Sequence, residues 1–439
     1  MRKLLEGMRK AREASLLLAT LSTEVKDAAL REAAKAVREH RAELLEANLK
    51  DVEAAERRRL SGPLVERLKL SESKLEAISR MIESVAELED PVGKTLYACE
   101  LDEGLELYRV SCPIGVVGAI FESRPDVLPQ ISSLCLKSGN AVVLKGGREA
   151  KRSNRAFFQL LKEVTEGKGV PEGWMQLVED REEVRKLLKL EEYVDLLVPR
   201  GSKEFIKFIQ RNTRIPVLGH AEGVCHVYVD EHADFDKALE ICYDSKVQYP
   251  AVCNAAEKVL VHAKVAEEFL PRLVEMYSKA GVEVRGCERT RALVKVKKAR
   301  EEDWYAEYLD LIIAVKVVDS LEEAISHINH YGSKHTDAIV TEDRETAVRF
   351  MEGVDSSSVM WNASTRFSDG YRYGLGAEVG ISTGKLHARG PVGLEGLTTY
   401  KYYLVGGGHV VAPYLSSPPR PFLHRKLEKT WKEVREGKA

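Results

Sequence analysis

Apolar residues recur at three- and four-residue intervals early in the chain, as in Leu30, Ala33, Ala34 and Val37 and again in Leu44, Leu45 and Leu49, with charges on the other faces. This spacing predicts helices from residue 2 to about residue 89. The one proline before Pro91 is Pro63. Behind Ser61-Gly62 it reads as the opening of a new helix after a cap.

The period changes near residue 95. Tyr97, Cys99 and Leu101, then Leu105, Leu107, Tyr108 and Val110, alternate with polar residues around Asp102-Glu103-Gly104. A β-hairpin over 97–110 is expected. Two strands are marginal alone, so the ribbon should pair with something else, such as another subunit. From Pro113 strands alternate with helices: strands at 114–121, 141–144 and 194–198, and helices at 127–138, from Ser153 through Lys162, and from Lys203. The rhythm continues with strands at 225–229, 258–262, 311–318, 338–341 and 357–361, and helices at 233–246, 265–279, 321–330 and 344–352. This is the pattern of an α/β fold with a parallel, doubly wound sheet. Ligands of such sheets bind beyond the carboxyl ends of strands, where Lys145 and Gly201-Ser202 fall. Gly370 to Gly396 holds eight glycines amid apolar residues and reads as loops near a site. Beyond Pro418 the tail is proline-rich, then basic, and Leu423, Leu427, Trp431 and Val434 share one helical face.

Composition narrows the function. The chain has 439 residues, 44% hydrophobic and 31% charged, with net charge −2. That is ordinary for a soluble protein of two or three domains and gives no basic surface for nucleic acid. Seven cysteines without CxxC pairs argue against a disulfide framework or zinc ribbon and for a reducing, cytoplasmic setting. No apolar run approaches the ~18 residues of a membrane span. The start carries acid early and lacks the apolar core of a secretory signal.

Cys253 differs from the other cysteines. It follows Tyr249-Pro250-Ala251-Val252, precedes Asn254-Ala255-Ala256, and leads into a strand. A thiol between small residues leaves room for a substrate carbon, although most such cysteines are buried hydrophobes. His327, His330 and His335 raise the question of a metal. Positions 327 and 330 can share a helical face, but no nearby Cys or second ligand pair completes a site, and no metal is expected.

Five separated blocks carry a resemblance: Pro113 to Asp126, including Glu122-Ser123-Arg124-Pro125; Ser138 to Gly147; the Cys253 loop; His327 to Val340; and Ala388 to Leu397. In order, they resemble the aldehyde dehydrogenase superfamily, and within it the glutamate-5-semialdehyde dehydrogenase family, over residues 1 to about 405. The resemblance implies NADPH-dependent reduction of L-glutamyl 5-phosphate to L-glutamate 5-semialdehyde and phosphate, in proline biosynthesis. It implies a Rossmann-type cofactor-binding domain (1–96 and 113–223), a catalytic domain (224–390) and a β oligomerisation ribbon (97–112 and 391–415), leaving a basic tail at 416–439. A homodimer or tetramer follows from the ribbon, and a glutamate kinase is the candidate partner.

The same resemblance assigns roles. Cys253 is the expected nucleophile, forming a thioester as phosphate leaves. Where aldehyde-oxidising members carry a water-activating Glu, this chain aligns His220, with Glu222 two residues on as the alternative. A reductase must keep water from its thioester, so loss of that Glu fits. Arg124 replaces the superfamily's oxyanion Asn; it would hold the oxyanion or the leaving phosphate, or else form a structural salt bridge with Glu122 or Asp126. Lys145 is expected at the adenosine ribose and 2′-phosphate, Gly201-Ser202 at the pyrophosphate, and Glu307 at the nicotinamide ribose. Arg366, Lys385 and Arg389 are candidates for the substrate's α-carboxylate. Oxidation of an aldehyde to the acid, acyl-CoA formation and a non-enzymatic role on the same fold are the competing readings.

Overall fold

The computed structural model describes residues 2–60, 62–220 and 222–437. The expected helical start takes the form of Arg2–Leu18, Thr23–Glu39, Arg41–Arg57, Gly62–Leu68 and Glu72–Glu87. The cap expected at Ser61 lies outside the described residues. Helix Thr23–Glu39 shows the local logic. Ser22 caps it by accepting from the Val25 amide, and Ala29, Leu30, Ala33, Ala34 and Val37 form its buried stripe.

That stripe packs against the helices Glu72–Glu87, Val127–Lys137 and Lys151–Glu166, which share one core with a four-stranded parallel sheet in the order Met175–Leu177, Ala141–Lys145, Val116–Phe121, Leu196–Arg200. Its central strands are apolar almost throughout, because helices cover both faces. A second, seven-stranded parallel sheet runs Lys297–Lys298, Glu283–Gly286, Ile312–Val318, Ala256–His262, Cys225–Val229, Thr336–Val340, Ser358–Trp361. The chain thus forms two parallel sheets, not one. Arg124, Lys145 and Gly201 follow or end strands of the smaller sheet at their carboxyl ends. Cys253, Glu307 and His335 precede strands of the larger sheet, at their amino ends.

The ribbon corrects two expectations. The hairpin does not wait for another subunit: its strands Thr95–Asp102 and Leu105–Pro113 sit inside a four-stranded antiparallel sheet of one chain. Thr398–Val405 pairs with Leu105–Pro113, and Arg425–Lys426 with Thr95–Asp102. The tail is accordingly not a single helix. The Leu423 amide donates to the Leu101 carbonyl at 2.8 Å and the Leu427 amide to the Ala98 carbonyl at 3.1 Å, so a bare strand edge captures the segment that spacing assigned to a helix. Helix forms only at Trp431–Arg435, and Leu427, Trp431 and Val434 still pack together against Ala98, Tyr108 and Val110. The glycine-rich segment is not all loop either, since Gly380–Ser382 pairs with Gly390–Val392.

Candidate active site

Cys253 lies between the helix Phe235–Val247 and the buried strand Ala256–His262. The loop is pinned from three sides. The Cys225 thiol donates to the Cys253 carbonyl at 3.2 Å. The Asn254 amide donates to the Ser368 carbonyl at 2.8 Å. Gly223 abuts the backbone, so that a Cβ there would lie 1.9 Å from the Cys253 carbonyl oxygen. Gly223 also donates its amide to Glu307 Oε1 at 2.8 Å. The Cys253 loop and the expected ribose-binding carboxylate therefore meet through one glycine. Burial raises the pKa of Glu307, while the Gly223 bond and His220 counter it.

Two histidines flank the thiol. One ligand atom each from His220, Cys253 and His335 lies within 4.8 Å of the others, and the two rings meet edge to face at 4.7 Å. His220 Nδ1 bonds to the Ile381 carbonyl at 2.8 Å. A carbonyl only accepts, so the proton is on Nδ1 and Nε2 keeps its lone pair. Burial lowers the His220 pKa, and Arg200 adds to that, so the ring is neutral at neutral pH. Glu222, the other candidate for this position, is held by ion pairs to Lys203 and, at 3.6 Å, to Lys207. His330 bonds to Tyr305, and His327 packs among His226, Trp304 and Tyr331, its pKa pushed down to about 2 chiefly by burial.

The cations sort themselves by partner. Arg124 pairs with Asp126 at 2.8 Å; burial opposes its charge, but Asp126, Tyr249 and Glu378 leave the pKa raised. Arg200, which its sequence context does not single out, donates to the Val379 carbonyl at 2.7 Å. Burial lowers its pKa, and it feels Glu378, Arg124 and Cys253. Glu378, half-buried and interacting with it, has its pKa raised chiefly by desolvation; it went unread inside the glycine-rich segment. Arg366 is buried, donates from Nε to Gln248 at 2.9 Å, and feels the Cys253 charge. Lys385 and Arg389 instead converge on Asp355, each at 2.9 Å.

Lys145 ends its strand buried, donating to the Gly146 carbonyl at 2.6 Å. Beside it Gly146, Gly147, Arg148, Lys151 and Asn154 line a pocket. A Cβ on Gly146 would lie 2.0 Å from Asn154 Nδ2, and Asn154 Oδ1 is buried without a hydrogen-bond partner, an acceptor waiting for a donor. At the next strand end, Ser202 opens the helix Lys203–Asn212 without a side-chain cap bond, and its amide donates to Glu122 at 3.0 Å. A carboxylate already occupies this helix start, as expected of an anion-accepting terminus.

A half-buried cysteine loop set between a small parallel sheet with open strand ends and a larger one is the arrangement of aldehyde dehydrogenases. The profile of the aldehyde dehydrogenase family matches residues 3–301, and the chain belongs to that family. Within it, the chain is 59% identical over 427 residues to gamma-glutamyl phosphate reductase of Natronomonas pharaonis, covering 96% of this chain and 97% of that relative. It is 56% identical over 436 residues to the Methanococcoides burtonii protein of the same name, covering 97% of each. The crystal structure of gamma-glutamyl phosphate reductase from Thermotoga maritima matches with a TM-score of 0.90 at 46% identity, covering 93% of this chain and 99% of that one. An acetylating aldehyde dehydrogenase from Geobacillus thermoglucosidasius, 18% identical with a TM-score of 0.65 over 93% of this chain and 97% of its own, shares the fold.

Proposed function

We infer that this protein is an oxidoreductase that reduces L-glutamyl 5-phosphate to L-glutamate 5-semialdehyde and phosphate, the reductive step of proline biosynthesis. Near-full-length likeness to gamma-glutamyl phosphate reductases supports the substrate. The observation that carries the chemistry is the Cys253 thiol between His220 and His335, backed onto Gly223 and Glu307. Cys253 attacks the acyl carbon and phosphate leaves, giving a thioester. His220, near the thiol and with Nδ1 engaged by the Ile381 carbonyl, is the base assigned to take the thiol proton on Nε2. Arg124 and Arg200 supply positive charge for the oxyanion and the departing phosphate. A nicotinamide cofactor, when bound, supplies hydride to the thioester carbon. Cys253 then departs as thiolate, releasing the aldehyde. His220 stands where water-activating members place a Glu, and Glu222 is tied to its lysines; both favour reduction over hydrolysis.

The residues fit the cofactor. Glu307 beside the nucleophile loop suits the nicotinamide ribose. The Ser202 helix start suits the pyrophosphate once Glu122 gives way. The orphaned Asn154 Oδ1 suits an adenosine ribose hydroxyl. Lys145, next in the chain to a pocket lined by Arg148 and Lys151 as well as Glu179, is the candidate for the 2′-phosphate of NADPH. For the α-carboxylate, Arg366 is the candidate near Cys253, whereas Asp355 holds Lys385 and Arg389.

Assembly belongs to the same reading. Thr398–Val405 is an edge strand with exposed Tyr400, Tyr402 and Leu404, which supports a homodimer or tetramer built on this edge. The tail joins the ribbon unit, and a glutamate kinase remains the candidate for handing over a labile acyl phosphate. The seven cysteines are free, which suits the cytoplasm, and among the described residues no helix is long and apolar enough to cross a membrane. The test is NADPH oxidation with glutamyl phosphate supplied by a coupled kinase. Turnover is expected; a chain that only oxidises aldehydes to acids overturns the reading.

A further inference from the structure

We propose that Cys253, His220 and His335 form a capture site for a thiophilic divalent cation, with zinc as the fitting ion, whose binding switches the enzyme off by taking its nucleophile. The spacing of histidines along the chain pointed elsewhere, because His220 reaches the site from a distant loop. The three ligand atoms lie within 4.8 Å of one another. A tetrahedral zinc site, with Zn–S at ~2.3 Å and Zn–N at ~2.0 Å, holds such atoms about 3.5 Å apart. Closure by roughly 1 Å completes the site. Cys253 and His220 both sit on loops, while His335 adjoins the strand Thr336–Val340.

Both rings already have the outer bond that metal-ligating histidines use. His220 Nδ1 donates to the Ile381 carbonyl at 2.8 Å, leaving Nε2 with its lone pair. His335 Nδ1 bonds to the Thr336 hydroxyl at 2.8 Å. Its Nε2 is buried with no hydrogen-bond partner, on a residue that is 0% exposed. An orphaned ring nitrogen beside a thiol is an incomplete coordination shell. The donors are sulfur and nitrogen alone, which selects zinc over magnesium or calcium. Arg200 opposes a second cation here; Glu307 and Glu378, which also act on His220, offset it.

The inhibitory consequence rests on Cys253 being the nucleophile; the binding does not. The decisive experiment uses the full-length wild-type chain. One equivalent of zinc should slow iodoacetamide alkylation of Cys253 at least tenfold, read by peptide mass spectrometry. Cys112 and Cys287, the other cysteines that are not fully buried, should react as before. Cobalt should give a thiolate-to-metal absorption band that is lost in Cys253→Ala, and His335→Gln should weaken zinc binding about 100-fold against a chromogenic chelator. Equal alkylation with and without zinc, or a His335→Gln chain that binds zinc like wild type, overturns the proposal. Protection by zinc together with retained turnover in Cys253→Ala would sink the catalytic reading and leave the capture site standing.

Discussion

Gly223→Ala puts a single methyl group where the account says none can go. The added Cβ would lie 1.9 Å from the Cys253 carbonyl oxygen, 2.5 Å from its carbonyl carbon and 2.6 Å from its Cα. All three are backbone atoms, so no side chain can rotate away. Ordinary contact begins at 3.4 Å, and the two segments must part by about 1.5 Å. Misplacement of a reacting group by ~1 Å costs on the order of 100-fold in rate, while overpacking at a buried contact costs about 1–3 kcal/mol of stability. Gly223 also carries the amide that holds Glu307, so cofactor affinity should fall along with turnover. The assay is steady-state NADPH oxidation, alongside a urea melt to show that the variant is folded. The expected result is a folded chain with kcat down at least about 100-fold and KM for NADPH raised. A folded Gly223→Ala chain with wild-type kcat would refute the packing of the nucleophile loop against this glycine.

If Lys145 holds the cofactor as proposed, Lys145→Ala should raise KM for NADPH more than it lowers kcat; equal effects on NADPH and NADH rule out the 2′-phosphate contact. Tyr402→Asp combined with Leu404→Asp charges the exposed ribbon edge and should give monomers or aggregates by light scattering; a wild-type monomer at micromolar concentration contradicts the assembly. Burial holds the Lys258 ammonium down to about 7, against about 10.4 in an unfolded chain. The native state binds fewer protons than the unfolded state between those values, so stability rises with pH across that window. Urea midpoints from pH 7 to 10 should climb in wild type and climb less in Lys258→Met; equal slopes refute the assignment.

Much of the fold was legible because its strands are continuous apolar runs closed by turn residues. Val116–Phe121 and Ala141–Lys145 are buried along their whole length and read plainly, and so did the loops at their ends. The tail was misread for a physical reason. Leu423, Leu427, Trp431 and Val434 satisfy a helical period, but the open edge at Thr95–Asp102 offers backbone partners that no local pattern reveals. The site was half legible. The loop of Cys253 ahead of a buried strand and the strand end at Lys145 follow from local context, while their roles came from the resemblance. His335 was noticed with His327 and His330, yet its neighbour in space is His220, on a loop far away in sequence. Arg200 and Glu378 feel each other's charge although far apart in sequence, and nothing in the run of residues around either one signals that proximity.

The central claim is that glutamyl phosphate passes through a thioester on Cys253. It is tested most directly by mixing the wild-type chain with glutamyl phosphate from a coupled kinase in the absence of NADPH, quenching in acid, and mapping the peptides by mass spectrometry. The account predicts a glutamyl adduct on the Cys253 peptide that disappears when NADPH is added before the quench. An enzyme that turns over while Cys253 stays unmodified, with the adduct absent or on another residue, would contradict it.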